Sequence, residues 1–184
     1  MFVTRFQGQK SHEVLWAAEL LAAAAAAEGR PAAAVLAAPG VSLCTIDGRA
    51  TADAGPSPVA DALILQEPAG LSRADIFARL SPEAYLLVNS TCGFGDLGAG
   101  ERVGRFFRDR ALILPVARLQ PGLHGVAVRS SGLVGGFAAL SRVVGLDSLI
   151  TAIHRIDGRP GWACVEAAKG GYEFVRAERE ALAA

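Results

Sequence analysis

Cys44, Cys92 and Cys164 stand far apart and are odd in number. No CxxC pair occurs, so a zinc or iron–sulfur site made by this chain alone is not expected; such sites draw on closely spaced thiolates. The same spread argues against a disulfide framework and fits buried thiols in a reducing cytoplasm. Cys92, between Thr91 and Gly93 and just after an apolar run, is the best placed to be reactive. A cysteine in that setting is nevertheless more often a small buried residue than a nucleophile. His12, His124 and His154 have no carboxylate at ligand spacing and read as surface or helix-end residues. Ser130 and Ser131 precede Gly132, but no GxSxG elbow exists to raise a serine nucleophile. Asp61 and Glu67 flank one apolar run, where a lone Asp ordinarily serves as a turn or cap residue. No catalytic residue and no metal ligand is assigned on these grounds.

The remaining chemistry is anion binding, and it lies near the start. Phe2-Val3-Thr4-Arg5-Phe6 alternates apolar and polar residues as a strand does. A loop, Gln7-Gly8-Gln9-Lys10, follows, and Ser11 is a suitable N-cap for the next helix. That helix runs from Val14 through Glu19 and a tract of alanines, the best helix formers. Gly29 supplies a left-handed stop and Pro31 prevents continuation. Strand, loop and helix N-terminus in this order can hold an anion, because unpaired amides and the helix dipole point at the loop. A chain using Gly8, Lys10 and Ser11 in this way would bind a phosphorylated ligand, with Lys10 as the main charge.

Composition bounds the rest. The chain has 184 residues, enough for one domain with a sizeable core. Lys plus Arg and Asp plus Glu both number 18, so nothing argues for nucleic acid or an anionic membrane as partner. Charged residues interrupt every apolar run before the roughly 18 residues a spanning helix needs. The alanine tract lies too deep, and in too good a helix, to be a signal sequence. A cytoplasmic location follows as an expectation.

Along the chain, strands are expected at Ala33–Ala37, Val41–Ile46, Asp61–Leu65, Ala84–Asn89 and Ala111–Val116. Pro39-Gly40 and Asp47-Gly48 mark turns. The segment from Thr51 to Pro58, rich in Gly, Pro, Ser and Asp, reads as a loop, as does glycine-rich Thr91 to Gly104. Pro115 marks an edge or the end of its strand. Helices are expected over Ala74–Leu80 (capped by Ser72 and closed by Ser81-Pro82), Leu133–Val144, Asp147–Ile156, and Trp162–Ala183, the last broken near Gly170-Gly171. Strands alternating with helices predict a three-layer α/β/α sandwich with a mostly parallel or mixed sheet. A helical C-terminal segment, about 131–184, would wrap the sheet or reach towards a partner.

The order of these motifs resembles the gamma subunit, or gamma domain, of the 2-oxoacid:ferredoxin oxidoreductases, the pyruvate and ketoacid oxidoreductase group. In that family a strand, a glycine-rich loop and an Ala/Leu-rich helix ending in Glu-Gly open the domain. Arg5-Phe6-Gln7-Gly8, the helix from Val14 to Ala22, and Glu28-Gly29 are similar. Asp61-Ala62-Leu63-Ile64-Leu65-Gln66-Glu67-Pro68 resembles the family's Asp-led strand running into an acidic residue and Pro. Leu86-Leu87-Val88-Asn89-Ser90 is similar to its next strand. Leu133-Val134-Gly135-Gly136-Phe137-Ala138, Leu146-Asp147-Ser148-Leu149 and Gly171-Tyr172-Glu173-Phe174 resemble its later helices. Lys10, Ser11, His12 and Glu13 stand where the family loop has Gly, Gly, Gln and Gly. The charge of Lys10 would replace some lost anion affinity, while Glu13 in the first turn would favour the helix but repel a phosphate.

The resemblance covers residues 1–184 as a single gamma-type domain. It implies a cofactor-free subunit of a complex that oxidatively decarboxylates a 2-oxoacid to an acyl-CoA and passes electrons to ferredoxin or a nicotinamide. Thiamine diphosphate with Mg and the [4Fe-4S] clusters would belong to partner chains: thiamine diphosphate-binding alpha/beta-type subunits and a ferredoxin-like subunit. Coenzyme A would be the substrate of the complex, with Gly8, Lys10 and Ser11 as its contacts on this chain. The alternatives are a purely structural interaction subunit and a stand-alone α/β protein binding a phosphorylated ligand.

Overall fold

Six apolar segments form strands: β1 (Phe2–Gln7), β2 (Ala32–Ala38), β3 (Val41–Ile46), β4 (Ala60–Leu65), β5 (Leu80–Asn89) and β6 (Ala111–Leu114). A computed structural model describes residues 1–48, 58–107, 110–119, 121–122, 124–156 and 161–183. The strands make one mixed sheet in the order β2-β3-β1-β4-β5-β6. β1, β4, β5 and β6 run parallel, whereas β2 and β3 form an antiparallel hairpin against the other side of β1. Gly40 turns that hairpin at φ +71°, a conformation that L side chains rarely adopt.

The described residues also form six α-helices: α1 (Ser11–Ala27), α2 (Gly100–Phe107), α3 (Val116–Leu119), α4 (Val126–Ser141), α5 (Leu146–Ile156) and α6 (Trp162–Ala183). Strand alternation divides the core. Ala62 and Ile64 of β4 join Phe6, Leu87, Leu112 and Leu114 under α1, α4, α5 and α6. Leu63 and Leu65 join Leu86 and Val88 on the opposite face, beneath Val103 and Phe107 of α2. Strands with apolar residues on both faces suit the middle layer of a sandwich. The expected three-layer arrangement is therefore the observed one.

The alanines of α1 have a packing role. Ala17, Ala18, Ala24 and Ala25 are fully buried, because α1 lies between the hairpin and helices α4 and α5. Small side chains let a helix be enclosed on several sides. The α4–α6 crossing is closer still. A Cβ on Gly171 would stand 2.0 Å from the Gly132 carbonyl oxygen, and one on Gly135 would stand 2.1 Å from that of Ala168.

Several boundaries differ from expectation. The helix expected over Ala74–Leu80 is replaced by two 3-10 turns, Pro68–Ser72 and Ala74–Phe77. Ser72 donates its hydroxyl proton to the Ala69 carbonyl and caps nothing. Leu80, Ser81 and Pro82 belong to β5, whose Leu80 pairs with Ala60. The glycine-rich loop ends earlier than expected, at α2, where buried Val103 and Phe107 anchor a helical turn. α4 begins at Val126, seven residues upstream of the expected start at Leu133. α6 runs unbroken through Gly170-Gly171, because Gly171 is where α4 crosses. The loop expected over 51–58 lies, but for Pro58, outside the described residues. No helix among the described residues is long and apolar enough to cross a membrane.

Candidate functional site at the ends of the parallel strands

The parallel strands end together, and ligands of open α/β sheets bind outside such carboxyl ends where strand order reverses. That reversal falls between the parallel neighbours β1 and β4, since the chain moves to one side of the sheet after β1 and to the other after β4. Gln66, just past β4, ties the ends into one unit. Its amide donates to the Gln7 carbonyl at 2.9 Å, and its carbonyl accepts from Asn89 Nδ2 at 3.0 Å. Its Nε2 donates to the Glu13 carbonyl at 3.1 Å and to Ser130 Oγ at 3.4 Å.

The loop after β1 is held from several directions. The Gly8 amide donates to the Gly40 carbonyl at 3.0 Å, and the Gly40 amide donates to Ser11 Oγ at 3.0 Å. The Gln9 amide donates to Glu67 Oε2 at 3.1 Å. Gly8 is a glycine for space: a Cβ would stand 3.1 Å from both Glu67 Oε2 and Val14 Cγ1. Ser11 is thus not the cap expected from sequence. It is the first helical residue, Lys10 takes the cap position without a side-chain cap bond, and the Ser11 hydroxyl serves the hairpin turn.

Lys10 turns towards its own helix. Its Nζ lies 3.2 Å from Glu13 Oε1, and Arg129 Nη2, reaching across from α4, lies 3.0 Å from both oxygens of the same carboxylate. Burial opposes ionisation of Glu13. The hydrogen bonds and charges of Arg129 and Lys10 outweigh it and hold the carboxyl below its ordinary range. The sequence marks Glu13 as a first-turn acid that repels phosphate, but not its pairing: Arg129 lies 116 residues away and carries no local signal.

One depression adjoins this loop and another lies beside Arg129. The first, about 260 Å³, is lined by Gly8, Gln9, Glu67, Gly70 and Arg73, with Arg73 paired to Asp75 at 2.9 Å. The other, about 160 Å³, lies on the helical side and is lined by Val116, Val128, Ala167, His124 and Arg129. Of the three candidate contacts, Gly8 lines the first depression; Lys10 and Ser11 line neither, Lys10 turning to Glu13 and Ser11 to the Gly40 amide.

The other singled-out residues are scattered. His12, His124 and His154 are exposed. Cys44 is buried, which pushes its thiol up to about 12, and Cys164 is buried as well. Cys92 is exposed, contrary to the expectation of buried thiols, because β5 ends at Asn89 and Cys92 lies in the turn beyond, its amide bonded to Ser90 Oγ at 3.0 Å. Asp61 holds the other end of the sheet, accepting from the Val3 amide at 2.8 Å. Among the described residues, no group of three His, Cys, Asp or Glu side chains could hold a metal ion.

This fold is a known one, shared with solved subunits of keto-acid oxidoreductases. Pyruvate oxidoreductase subunit PORC from Thermotoga maritima superposes with a TM-score of 0.70 at 21% identity, over 94% of this chain and 95% of that one. The gamma subunit of a keto/oxoacid ferredoxin oxidoreductase from Geobacter sulfurreducens gives 0.71 at 20% identity, over 96% and 99%. A 2-oxoglutarate:ferredoxin oxidoreductase from Magnetococcus marinus, determined with 2-oxoglutarate, coenzyme A and succinyl-CoA bound, gives 0.61 at 12% identity, over 98% of this chain and 31% of that one. No family model and no curated protein matches the sequence.

Proposed function

We propose that this chain is a gamma-type subunit of a multi-subunit 2-oxoacid oxidoreductase. The observation that carries the reading is the end-to-end agreement in fold with two gamma subunits of nearly the same extent. The assembly would oxidatively decarboxylate a 2-oxoacid to an acyl-CoA in the cytoplasm and pass electrons to ferredoxin or a nicotinamide. Thiamine diphosphate with its Mg ion and the [4Fe-4S] clusters would sit in the partner chains, the thiamine-binding alpha/beta-type subunits and a ferredoxin-like subunit. This chain would pack on the thiamine-binding subunits as one domain and supply interface and position, with no catalytic residue of its own.

Gly8, Lys10 and Ser11 are its proposed contacts with coenzyme A. A purely structural role is the second reading, and a specific observation favours it. The Gly8 and Gln9 amides, the Ser11 hydroxyl and the Lys10 ammonium all have partners within the chain already. The same bonds weigh against a stand-alone phospho-ligand protein.

The test has two arms. Mass spectrometry of the native assembly purified through this chain should find a thiamine-binding chain, with thiamine and iron in stoichiometric amounts; their absence would sink the reading. Steady-state kinetics of that assembly with Lys10→Ala then separate the roles. Loss of a charged contact to coenzyme A would raise its KM about tenfold or more, whereas a structural role leaves that KM unchanged.

A further inference from the structure

Among the described residues, Glu13 is the only buried charged side chain; the other buried polar residues are Thr, Ser and Gln. Its residue exposure is 3%. Removing a carboxylate from water is strongly unfavourable, and a buried ion pair seldom stabilises a fold more than well-packed apolar residues would. Leu20, Leu21 and the alanines of α1 show that this helix takes apolar residues readily at buried positions. The carboxylate at position 13 therefore calls for an electrostatic reason.

The surroundings supply it. Glu13 lies in the first turn of α1, where the helix dipole favours negative charge. Both oxygens accept from Arg129 Nη2, and Oε1 also faces Lys10 Nζ. Without the carboxylate, a guanidinium, an ammonium and a helix N-terminus would converge on one half-enclosed corner. That combination is a phosphate site in outline.

We infer that Glu13 is a built-in anion: it fills the corner between Lys10, Arg129 and the first turn of α1, and so excludes phosphate and other external anions from it. Specificity here is exclusion, by a fixed like charge where a competing anion would sit. The inference concerns the chain itself and stands whether or not the oxidoreductase reading does; within that reading it favours the structural role over a coenzyme A contact at Lys10.

The probe is inorganic phosphate, titrated at constant ionic strength into the purified 184-residue chain and its variants by calorimetry and thermal melting. Wild type should show no saturable response. Glu13→Ala should bind phosphate at least about tenfold more tightly than wild type, a difference of about 1.4 kcal/mol, and recover melting temperature as phosphate is added. The double variant Glu13→Ala/Arg129→Ala should lose that response. If Glu13→Ala is unfolded without added anion, recovery of its circular dichroism on adding phosphate supports the inference equally. Saturable binding to wild type as tight as to Glu13→Ala overturns it. So does a Glu13→Ala variant that phosphate neither binds nor refolds.

Discussion

The Glu13 carboxylate is held by two cations from different directions, and its titration follows from that. Arg129 and Lys10 keep its native pKa below the unfolded value of about 4.3. The pair therefore contributes fully above that unfolded value and progressively less as pH falls from there through the native pKa. We expect Glu13→Gln to lower stability by about 1–3 kcal/mol at pH 7, the usual size for a charge-assisted hydrogen bond left without its charge. The difference from wild type should shrink in acid. Urea unfolding at pH 7 and at pH 3 checks both parts; a difference that grows in acid would contradict the assigned cause. The 43% exposure of Arg129 keeps the expected magnitude in the lower part of that range.

Only part of this residue-scale picture was legible beforehand. Lys10 and Ser11 were visible as polar residues at a helix entrance, and Glu13 as an acid in a first turn. What each one bonds to was not, because the partners come from elsewhere in the chain. Gly40 claims the Ser11 hydroxyl, Glu67 claims the Gln9 amide, and Arg129 claims Glu13. Local patterns report which groups are available; the fold decides which are used.

At the scale of elements, glycines in helices behave in opposite ways. Gly171 lies where α6 crosses α4, and a methyl group there would collide with a backbone oxygen that cannot rotate away. Gly171→Ala should destabilise by about 1–3 kcal/mol, despite the better helix propensity of alanine. Gly104 in α2 has nothing within 4 Å of its would-be Cβ. Gly104→Ala should stabilise by about 0.5–1 kcal/mol. Thermal unfolding of the two variants side by side decides whether crossing geometry explains α6. This is also why the expected break at Gly170-Gly171 is not there: glycine is a poor helix former in isolation, but packing of α4 overrides that preference. Strands β3, β4 and β5 were legible because each carries a run of buried, mostly apolar residues, 43–46, 62–65 and 86–88 in turn. The 3-10 turns after β4 were not, since short segments carry too little periodicity.

At the scale of the whole molecule, Arg30 joins parts that sequence keeps far apart. Its guanidinium meets Asp47 at the end of β3, with Nη2 to Oδ2 at 2.6 Å, and donates from Nη1 to the Val143 carbonyl beyond α4 at 2.5 Å. Nearby, Glu28 Oε1 accepts from the Gly145 amide at 2.6 Å. Sheet, first helix and C-terminal helices thus share one fastening at the end opposite the Glu13 corner. Asp47 adopts φ +57° there, and the Arg30 bonds accompany that uncommon conformation. Arg30→Ala should lower stability by about 1–2 kcal/mol, and circular dichroism and fluorescence melts should shift together. Separate transitions would mean that the fastening is not shared.

The place of β1 in the sheet also governs the order in which the molecule can assemble. β1 leaves the ribosome before the other strands, and its hairpin-side partner β3 follows within the next forty residues or so, with α1 to cover them. Its other edge must wait for β4, since Thr4 pairs with Ala62. β5 and β6 can add only after that. Between those moments, the central strand of the finished sheet is an unprotected edge carrying Val3, Thr4 and Phe6, residues that end up almost wholly buried. Long-range parallel pairing is slow and leaves edges open to wrong partners. The nascent chain is therefore most vulnerable to aggregation over the stretch of synthesis between β3 and β4.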